Sequence, residues 1–252
     1  MGELTGRLDP LTAMASPGAA MAVGPWQLAR VVAVRDETPS AKSFRLLLPE
    51  PVAFLPGQHF VLRLSAPDGY RAQRSYSVAS PPSELPEIEL TVERLENGEV
   101  SSFLHEQVVP GDELEVRGPI GGYFTWDGST SALLVGGGSG VVPLMSMVRH
   151  ARRSGIAERV RLIVSVRSPA ELYYASEMEG PGTAVCYTRV APPGSRRPPG
   201  RLAAGDLAPF LLPEATLYIC GSSGFADAAT DLALELGVPA EMIRIERFGP
   251  TG

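Results

Sequence analysis

The sequence contains little cysteine and little histidine, and this scarcity excludes several kinds of site. The only two cysteines among its 252 residues, Cys186 and Cys220, lie in or at the end of apolar, strand-like runs. Two thiols cannot supply the four thiolates of an iron–sulfur cluster, and they offer no disulfide framework, which favours a reducing, cytoplasmic environment. The histidines, His59, His105 and His150, are too scattered to form a metal site, so we expect no bound metal.

Positive charge and long apolar runs are also scarce. With 22 Lys and Arg against 28 Asp and Glu, the formal net charge of -6 gives a nucleic-acid partner no overall electrostatic support. No run approaches the roughly 18 apolar residues that a membrane-spanning helix needs, so we expect no membrane insertion. Residues 1–22 lack the basic segment of a signal peptide and are broken by proline and glycine, and we expect them to form a disordered leader.

The first half of the remaining chain has the pattern of a β domain. From Trp26 to Trp126, short apolar or alternating runs are separated by proline and glycine, with only SSFLHEQV resembling a helix. Such regular spacing is typical of an antiparallel barrel or sandwich. We therefore assign residues 23–127 to an antiparallel β-barrel domain. Its predicted strands are WQLARVVAV, SFRLLLP, HFVLRL, RSYSVAS, EIELTVERL and DELEVRG.

The second half alternates strands with helices, which predicts an α/β domain over residues 128–252. In VVPLMSMVRHARRSG an apolar face of Val141, Leu144, Met145 and Val148 precedes a basic last turn and a terminal glycine. The order of strand, helix and strand implies a parallel sheet with helices on both faces. The other predicted elements are the strands VRLIVSV, TAVCYT, TLYIC and MIRIE and the helix FADAATDLALELG.

A glycine-rich turn joins the first strand of this domain to its first helix. In SALLVGGGSGVVP, glycines 136, 137, 138 and 140 would let backbone amides approach a pyrophosphate, and the helix N-terminus adds partial positive charge. Pro143 stands where the usual dinucleotide fingerprint has glycine or alanine, and a proline is compatible with the first helical turn. The alternative is a tight turn that binds nothing.

The end of the second parallel strand bears on the choice of nucleotide. The usual fingerprint has an acidic residue there that binds ribose hydroxyls, whereas VRLIVSV is followed by Arg167 and Ser168. An arginine at that place would accept a 2′-phosphate, which favours NADP over NAD. A solvated arginine at the end of a strand is an equally good interpretation.

Six motifs in a fixed order resemble the ferredoxin–NADP reductase superfamily, specifically its single-component members without an attached iron–sulfur or haem domain. They are PGQHFVLRL with Arg74-Ser75-Tyr76-Ser77, NGEVSSFLH, GDELEVRGPIGGYF, GGGSGVVPLMS, YICGSSGF and IERFG, and they cover about residues 26–249. The resemblance implies an FAD-binding barrel followed by an NADPH-binding domain, with NADH as a possible substitute. The active site would lie in the crevice between the two domains.

The resemblance also assigns functions to residues of the barrel. Arg74 would face the FAD pyrophosphate, Tyr76 would lie against the isoalloxazine, and Ser77 would reach flavin N5. The segment Val100, Ser101 and Ser102 would offer amides and hydroxyls to the diphosphate, although Ser101 could simply cap a helix. Further expected flavin contacts are Ser75, Val92 and Arg94, and for Arg94 an exposed strand arginine is the plain alternative.

In the second domain the resemblance places Cys220 near the nicotinamide ring, and a buried free cysteine is the structural alternative. The predicted catalytic residues are Tyr76, Ser77, Cys220 and Glu246. The chain ends in ERFGPTG rather than in the aromatic residue of plant-type relatives, so Phe248 is the nearest aromatic and what covers the flavin is open. The expected nucleotide or flavin contacts here are Gly137, Gly138, Ser139, Gly140, Arg167, Arg189, Cys220, Gly221 and Phe248.

The resemblance implies hydride transfer from NADPH to FAD and then single-electron transfer to a separate acceptor, for which a ferredoxin is our first choice. Five arginines are candidates for a docking patch, or they only complement a helix C-terminus. Two other functions stay open: reduction of a quinone, free flavin or metal chelate, and a flavin electron-transfer subunit without turnover of its own. The five arginines are Arg149, Arg152, Arg153, Arg159 and Arg161.

Overall fold

Two β-sheets of different type follow one another along the chain. The computed structural model describes residues 23–180 and 182–249, so the predicted leader, residues 1–22, lies outside the described residues. The first sheet has six antiparallel strands and the second has five parallel strands. The predicted fold, an antiparallel barrel followed by a parallel α/β domain, is confirmed.

The antiparallel sheet has the strand order β4-β3-β6-β1-β2-β5. A bridge between Val78, just after β4, and Leu90 of β5 joins the two ends of this order, so the sheet curls into a barrel. Helix α1, Glu99–Gln107, lies between β5 and β6 in the chain. The strands are β1 Gln27–Thr38, β2 Ala41–Leu47, β3 His59–Ser65, β4 Arg71–Ser77, β5 Glu87–Glu93 and β6 Glu113–Ile120.

The parallel sheet has the order β11-β10-β7-β8-β9. Alternation along β7 sends Leu134 into a cluster with α2 and Leu133 into a separate cluster with α4, so the helices cover opposite faces, as predicted. The elements are β7 Ala132–Gly137, α2 Val141–Arg153, β8 Val160–Val166, β9 Thr183–Tyr187, α3 Ala204–Leu207, β10 Thr216–Ser222, α4 Ser223–Glu235 and β11 Ile243–Phe248.

Some details differ from the sequence-based expectations. Helix α1 begins at Glu99, two residues before the predicted start, and the proline-rich segment before β10 is followed by the short helix α3. The predicted division at residues 127 and 128 falls between β6 and β7 and stays a prediction. None of the helices in residues 23–180 and 182–249 has the length and apolar character needed to cross a bilayer.

The two sheets meet along helix α2. Ala79, two residues beyond β4, is buried in the same apolar cluster as Leu144 of α2 and Cys220 of β10. The hydroxyl of Ser146 donates a hydrogen bond of 2.7 Å to the carbonyl oxygen of Ser80. The end of β4 and the end of β10 therefore both pack against one helix.

Candidate active site

Strand β4 presents Arg74 and Tyr76 on one of its faces, because side chains alternate along a strand. Their partners on β3 are Leu62 and Phe60. The Tyr76 ring packs against the barrel core, and burial raises the pKa of its hydroxyl to about 12. The Arg74 side chain is exposed and donates a hydrogen bond of 2.7 Å to the carbonyl oxygen of its neighbour Gln73. An aromatic ring and an open guanidinium thus lie along the same face.

The serines of this strand, Ser75 and Ser77, point to the other face. Ser77 is the last residue of β4 and is paired with His59. A single flat ligand can contact both Tyr76 and Ser77 only if it lies across the end of the strand. The structure is compatible with that placement because Tyr76 and Ser77 are both only partly buried at this end of β4, after which Val78 bridges to Leu90 of β5.

Gln58, in the Pro-Gly-Gln motif, has a structural function that the sequence analysis did not identify. It is almost fully buried, and its side chain donates 2.6 Å to the Gly121 carbonyl and accepts 2.8 Å from the Leu55 amide. Its backbone carbonyl accepts 3.0 Å from the Val78 amide. Gln58 therefore links the end of β4 to the loop after β6.

The side chains of two predicted flavin contacts, Val92 and Val100, lie in the barrel core, where both residues are only 1% exposed. Contact with a flavin would therefore have to come from their backbone, as expected for the Val100 amide, and both contacts stay predictions. The Ser101 hydroxyl accepts from the Leu95 amide and donates to the Gly98 carbonyl, which makes it a structural residue of the α1 turn. Its position is the third of the helix, not the cap.

Two other expected contacts near α1, Ser102 and Arg94, remain accessible. Ser102 is partly exposed, and its amide donates 2.8 Å to the Gly98 carbonyl. Arg94 follows β5, and its half-exposed guanidinium pairs with Glu106 on α1. An exposed ion pair of this kind contributes little to stability, so Arg94 could exchange Glu106 for a phosphate.

The glycine-rich turn between β7 and α2 is held against the end of β10. A Cβ atom at position 140 would lie 2.1 Å from the carbonyl oxygen of Cys220, so only glycine allows this approach. Gly138 has a φ of +56°, a conformation that glycine adopts without strain. The first amides of α2 follow directly, and Pro143 lies in that first turn. Such a glycine turn at a helix N-terminus can form a cradle for an anionic group.

Phe225 is a second residue that the sequence analysis missed. Its ring lies over two glycines, because a Cβ atom would come within 2.6 Å of it at position 137 and 2.5 Å at position 221. Gly137 is the last residue of β7 and Gly221 the last but one of β10, so both lie at the carboxyl edge of the sheet, where open α/β sheets bind ligands. The sequence signal was the phenylalanine that ends YICGSSGF.

Cys220 and Glu246 lie side by side on β10 and β11. The Glu246 Oε2 atom is buried and has no hydrogen-bond partner among the described residues. Burial raises the pKa of this carboxyl to about 7. The pKa of the Cys220 thiol is also raised, mainly by burial and secondly by the negative charge of the nearby Glu246. Phe248, two residues further along β11, is more exposed.

Arg167 and Arg189 extend from neighbouring strand ends. The Arg189 amide donates 3.0 Å to the Arg167 carbonyl, just beyond β8 and β9. The Arg167 side chain is 65% exposed and lies 3.6 Å from a carboxylate oxygen of Glu171. The two guanidinium groups are therefore attached at adjacent points of the carboxyl edge, and Glu171 lies close to that of Arg167.

Arg149, one of the five arginines expected to form an exposed docking patch, is largely buried. Its side chain is only 15% exposed because it bridges Glu89 of β5 and Glu177 beyond β8. The other four bind acids or carbonyls of their own chain, and docking through them stays a prediction. Their acceptors are Glu177 for Arg152, Glu84 for Arg153, Gly128 for Arg159 and Glu158 for Arg161.

These features suit a flavin and a nicotinamide nucleotide: an aromatic ring beside an open arginine, a glycine cradle at a helix N-terminus, and an unpartnered carboxyl oxygen. Comparison with known proteins supports the same conclusion. Residues 28–125 match the family of oxidoreductase FAD-binding domains, and residues 134–231 match that of oxidoreductase NAD-binding domains. Ferredoxin–NADP reductase B of Sorangium cellulosum is 33% identical over 244 residues, which cover 87% of this chain and 96% of that protein.

The chain belongs to the ferredoxin–NADP reductase superfamily. Its cofactors are accordingly FAD and NAD(P)H. A solved member of similar fold is the FAD/NAD-binding domain of a nitric oxide dioxygenase from Vibrio cholerae. It has a TM-score of 0.78 and 25% identity, with coverage of 89% of this chain and 99% of that one.

Several members of the superfamily are longer than this chain. The glycine betaine monooxygenase reductase subunit of Pseudomonas aeruginosa is 30% identical over 238 residues, covering 89% of this chain and 64% of that protein. The chain spans between 40% and 64% of the length of several of the curated relatives that it matches.

Proposed function

We propose that this chain passes hydride from NADPH to FAD and then single electrons to a separate acceptor protein, for which a ferredoxin is the first choice. The observation that carries this proposal is the burial of Ala79 and Cys220 in one cluster against α2. Ala79 follows the strand of Tyr76 and Ser77, and Cys220 touches the glycine-rich turn. The segments expected to bind the two cofactors thus both pack against helix α2.

Each site residue then has a defined task. Arg74 pairs with the flavin pyrophosphate, since a guanidinium can bind two phosphate oxygens at once, and the Tyr76 ring supports the isoalloxazine. The amides of the glycine-rich turn at residues 138–140, which leads into α2, bind the pyrophosphate of the nucleotide. Cys220 and Glu246 line the nicotinamide side, where the carboxyl can hold a proton near neutral pH.

We infer a preference for NADPH over NADH from Arg167 and Arg189. Two guanidinium groups on adjacent strand ends suit a 2′-phosphate. Glu171, 3.6 Å from Arg167, works against this preference because it would repel the same phosphate. NADH should therefore act as a poorer substrate rather than be excluded.

The names of two relatives support a protein as the electron acceptor. The relative that the chain covers at 96% is named a ferredoxin–NADP reductase, whereas the glycine betaine relative is a monooxygenase reductase subunit. A ferredoxin is therefore the first acceptor to test and an oxygenase component the second. Both cysteines are free and buried, which supports the expected cytoplasmic location.

The test is anaerobic stopped-flow reduction of the purified chain while the flavin absorbance is followed. Rapid bleaching by NADPH and slower bleaching by NADH would support the assignment, and acceptors are then compared at several salt concentrations. Turnover with quinones, free flavins or metal chelates but with no protein acceptor would replace the ferredoxin assignment. A flavin that neither nucleotide reduces would instead identify a subunit without turnover of its own.

A further inference from the structure

The buried guanidinium of Arg149 connects the two sheets. On the barrel side, Nη1 donates 2.7 Å to Glu89 Oε1 and 3.1 Å to the Ala79 carbonyl. On the other side, Nε and Nη2 donate 3.1 and 2.5 Å to the two carboxylate oxygens of Glu177. The guanidinium carbon also lies 4.7 Å from the centroid of the Tyr174 ring. The side chain is thus held from both domains at once.

The partners of Arg149 lie next to both halves of the site. Helix α2 begins at the glycine-rich turn, and Arg149 and Ser146 lie in its later turns. Ala79 and Ser80, which accept hydrogen bonds from these two residues, directly follow the strand of Tyr76 and Ser77. One rigid helix therefore runs from the cradle of the nucleotide to the segment that leaves the flavin strand.

The charges of Arg149, Glu89 and Glu177 favour a single arrangement of these hydrogen bonds. Burial alone would lower the pKa of the Arg149 guanidinium, but the hydrogen bonds and charges of Glu177 and Glu89 outweigh it and raise the pKa. Glu89 is itself buried, so loss of the arginine would leave its carboxylate with much less compensation. The hydrogen bonds from Arg149 to Ala79, Glu89 and Glu177 form the joint between the two domains. This joint should hold one geometry and resist sliding of one domain on the other.

We propose that Arg149 is a positioning residue, whose bonds to Ala79 and Glu89 set the separation of the flavin strand and the nucleotide turn. This inference rests on the proposed function, since the separation matters through the transfer of hydride. The rate of hydride transfer falls steeply when the reacting atoms are displaced by about 1 Å. Arg149 acts through α2 and touches neither expected cofactor site.

The main variant is Arg149→Gln, with Arg63→Gln as its matched control. Arg63 is 17% exposed, binds both oxygens of Glu115 at 2.9 and 2.7 Å, and lies 3.9 Å from the Trp26 ring centroid. Its partners are all in the barrel, so its loss removes a similar network without touching the joint. Ser146→Ala removes the second connection to Ser80 and serves where Arg149→Gln fails to fold.

Two measurements are made on each variant of the full chain. The first is the limiting rate of flavin bleaching at saturating NADPH, with the apparent Kd and the flavin content. The second needs no reaction. Pulsed electron paramagnetic resonance measures the distances between spin labels attached to cysteines that are introduced at the exposed positions Glu113 and Glu235. The native cysteines are buried and should not take the label.

For Arg149→Gln we expect the limiting rate to fall on the order of tenfold or more, with a broadened distance distribution and less than about twofold change in Kd. Ser146→Ala should show the same changes in smaller degree, and Arg63→Gln should show neither. An unchanged rate and distribution in Arg149→Gln, or in Ser146→Ala if the first does not fold, would overturn the proposal. If NADPH does not reduce even the unaltered chain, the proposed function fails, and the distances still report whether Arg149 fixes the domains.

Discussion

Cys220 and Glu246 are register partners on the adjacent parallel strands β10 and β11, and Oε2 of the glutamate is buried without a hydrogen-bond partner among the described residues. Burial raises the pKa of the carboxyl to about 7. At neutral pH it is therefore about half protonated, beside a thiol that burial keeps neutral. A proton can be held or released here without a large cost in free energy.

The first prediction concerns the pH dependence of stability. The Glu246 pKa is about 7 in the folded chain against 4.5 as the ordinary value, so the unfolded chain loses this proton first as the pH rises. The contribution of Glu246 to the free energy of unfolding should therefore fall between about pH 4.5 and 7, by about 3 kcal/mol in total. Denaturant unfolding across this range measures the change.

Glu246→Gln should flatten that part of the stability curve because the amide does not titrate. The control is Glu235→Gln, on the exposed surface of α4, which should leave the curve as in the unaltered chain. Equal pH dependence in the unaltered chain and in Glu246→Gln would contradict the raised pKa.

The second prediction concerns the flavin strand. Tyr76→Ala removes the ring that packs at the edge of the barrel core, and we expect flavin to dissociate roughly tenfold more readily because a stacking face is lost. Tyr76→Phe keeps the ring and should retain flavin. Flavin content after gel filtration measures both. Full retention by Tyr76→Ala with an unchanged flavin spectrum would show that the ring does not support the cofactor.

The third prediction concerns nucleotide choice. Arg167→Glu or Arg189→Glu should raise the KM for NADPH by about tenfold or more, through the loss of a charge-assisted contact to the 2′-phosphate, and should affect NADH little. Glu171→Gln is the opposing control, since it removes the acid near Arg167 and should lower the KM for NADPH. Equal effects on the two nucleotides would contradict a 2′-phosphate site at these strand ends.

The sequence was informative where local pattern determines structure. Alternating runs predicted the barrel strands, and glycines between a strand and a helix predicted the turn that packs against Cys220. It was uninformative where a side chain's partner is distant in the chain. Arg149 was interpreted as a surface charge because nothing near it indicates Glu89, 60 residues away. Val92 lies on a strand whose two faces are both largely buried, so its orientation could not be inferred from alternation.

The last prediction tests the contact between the glycine-rich turn and β10. In Gly140→Ala the new methyl group would lie 2.1 Å from the Cys220 carbonyl oxygen, which is backbone and cannot move aside cheaply. The turn or the strand must shift, so we expect a loss of about 1–3 kcal/mol in the free energy of unfolding and weaker binding of NADP⁺, with flavin content unchanged.

The matched control is Gly205→Ala in α3, where an added Cβ meets nothing within 4 Å and the backbone is not left-handed. Its stability should be equal or higher by up to about 1 kcal/mol, because alanine favours a helix over glycine. Thermal unfolding and calorimetric titration with NADP⁺ compare the two variants. Unimpaired NADP⁺ binding and stability in Gly140→Ala would mean that the turn does not press against Cys220, and the nucleotide cradle would then have to be placed elsewhere along the carboxyl edge of the sheet.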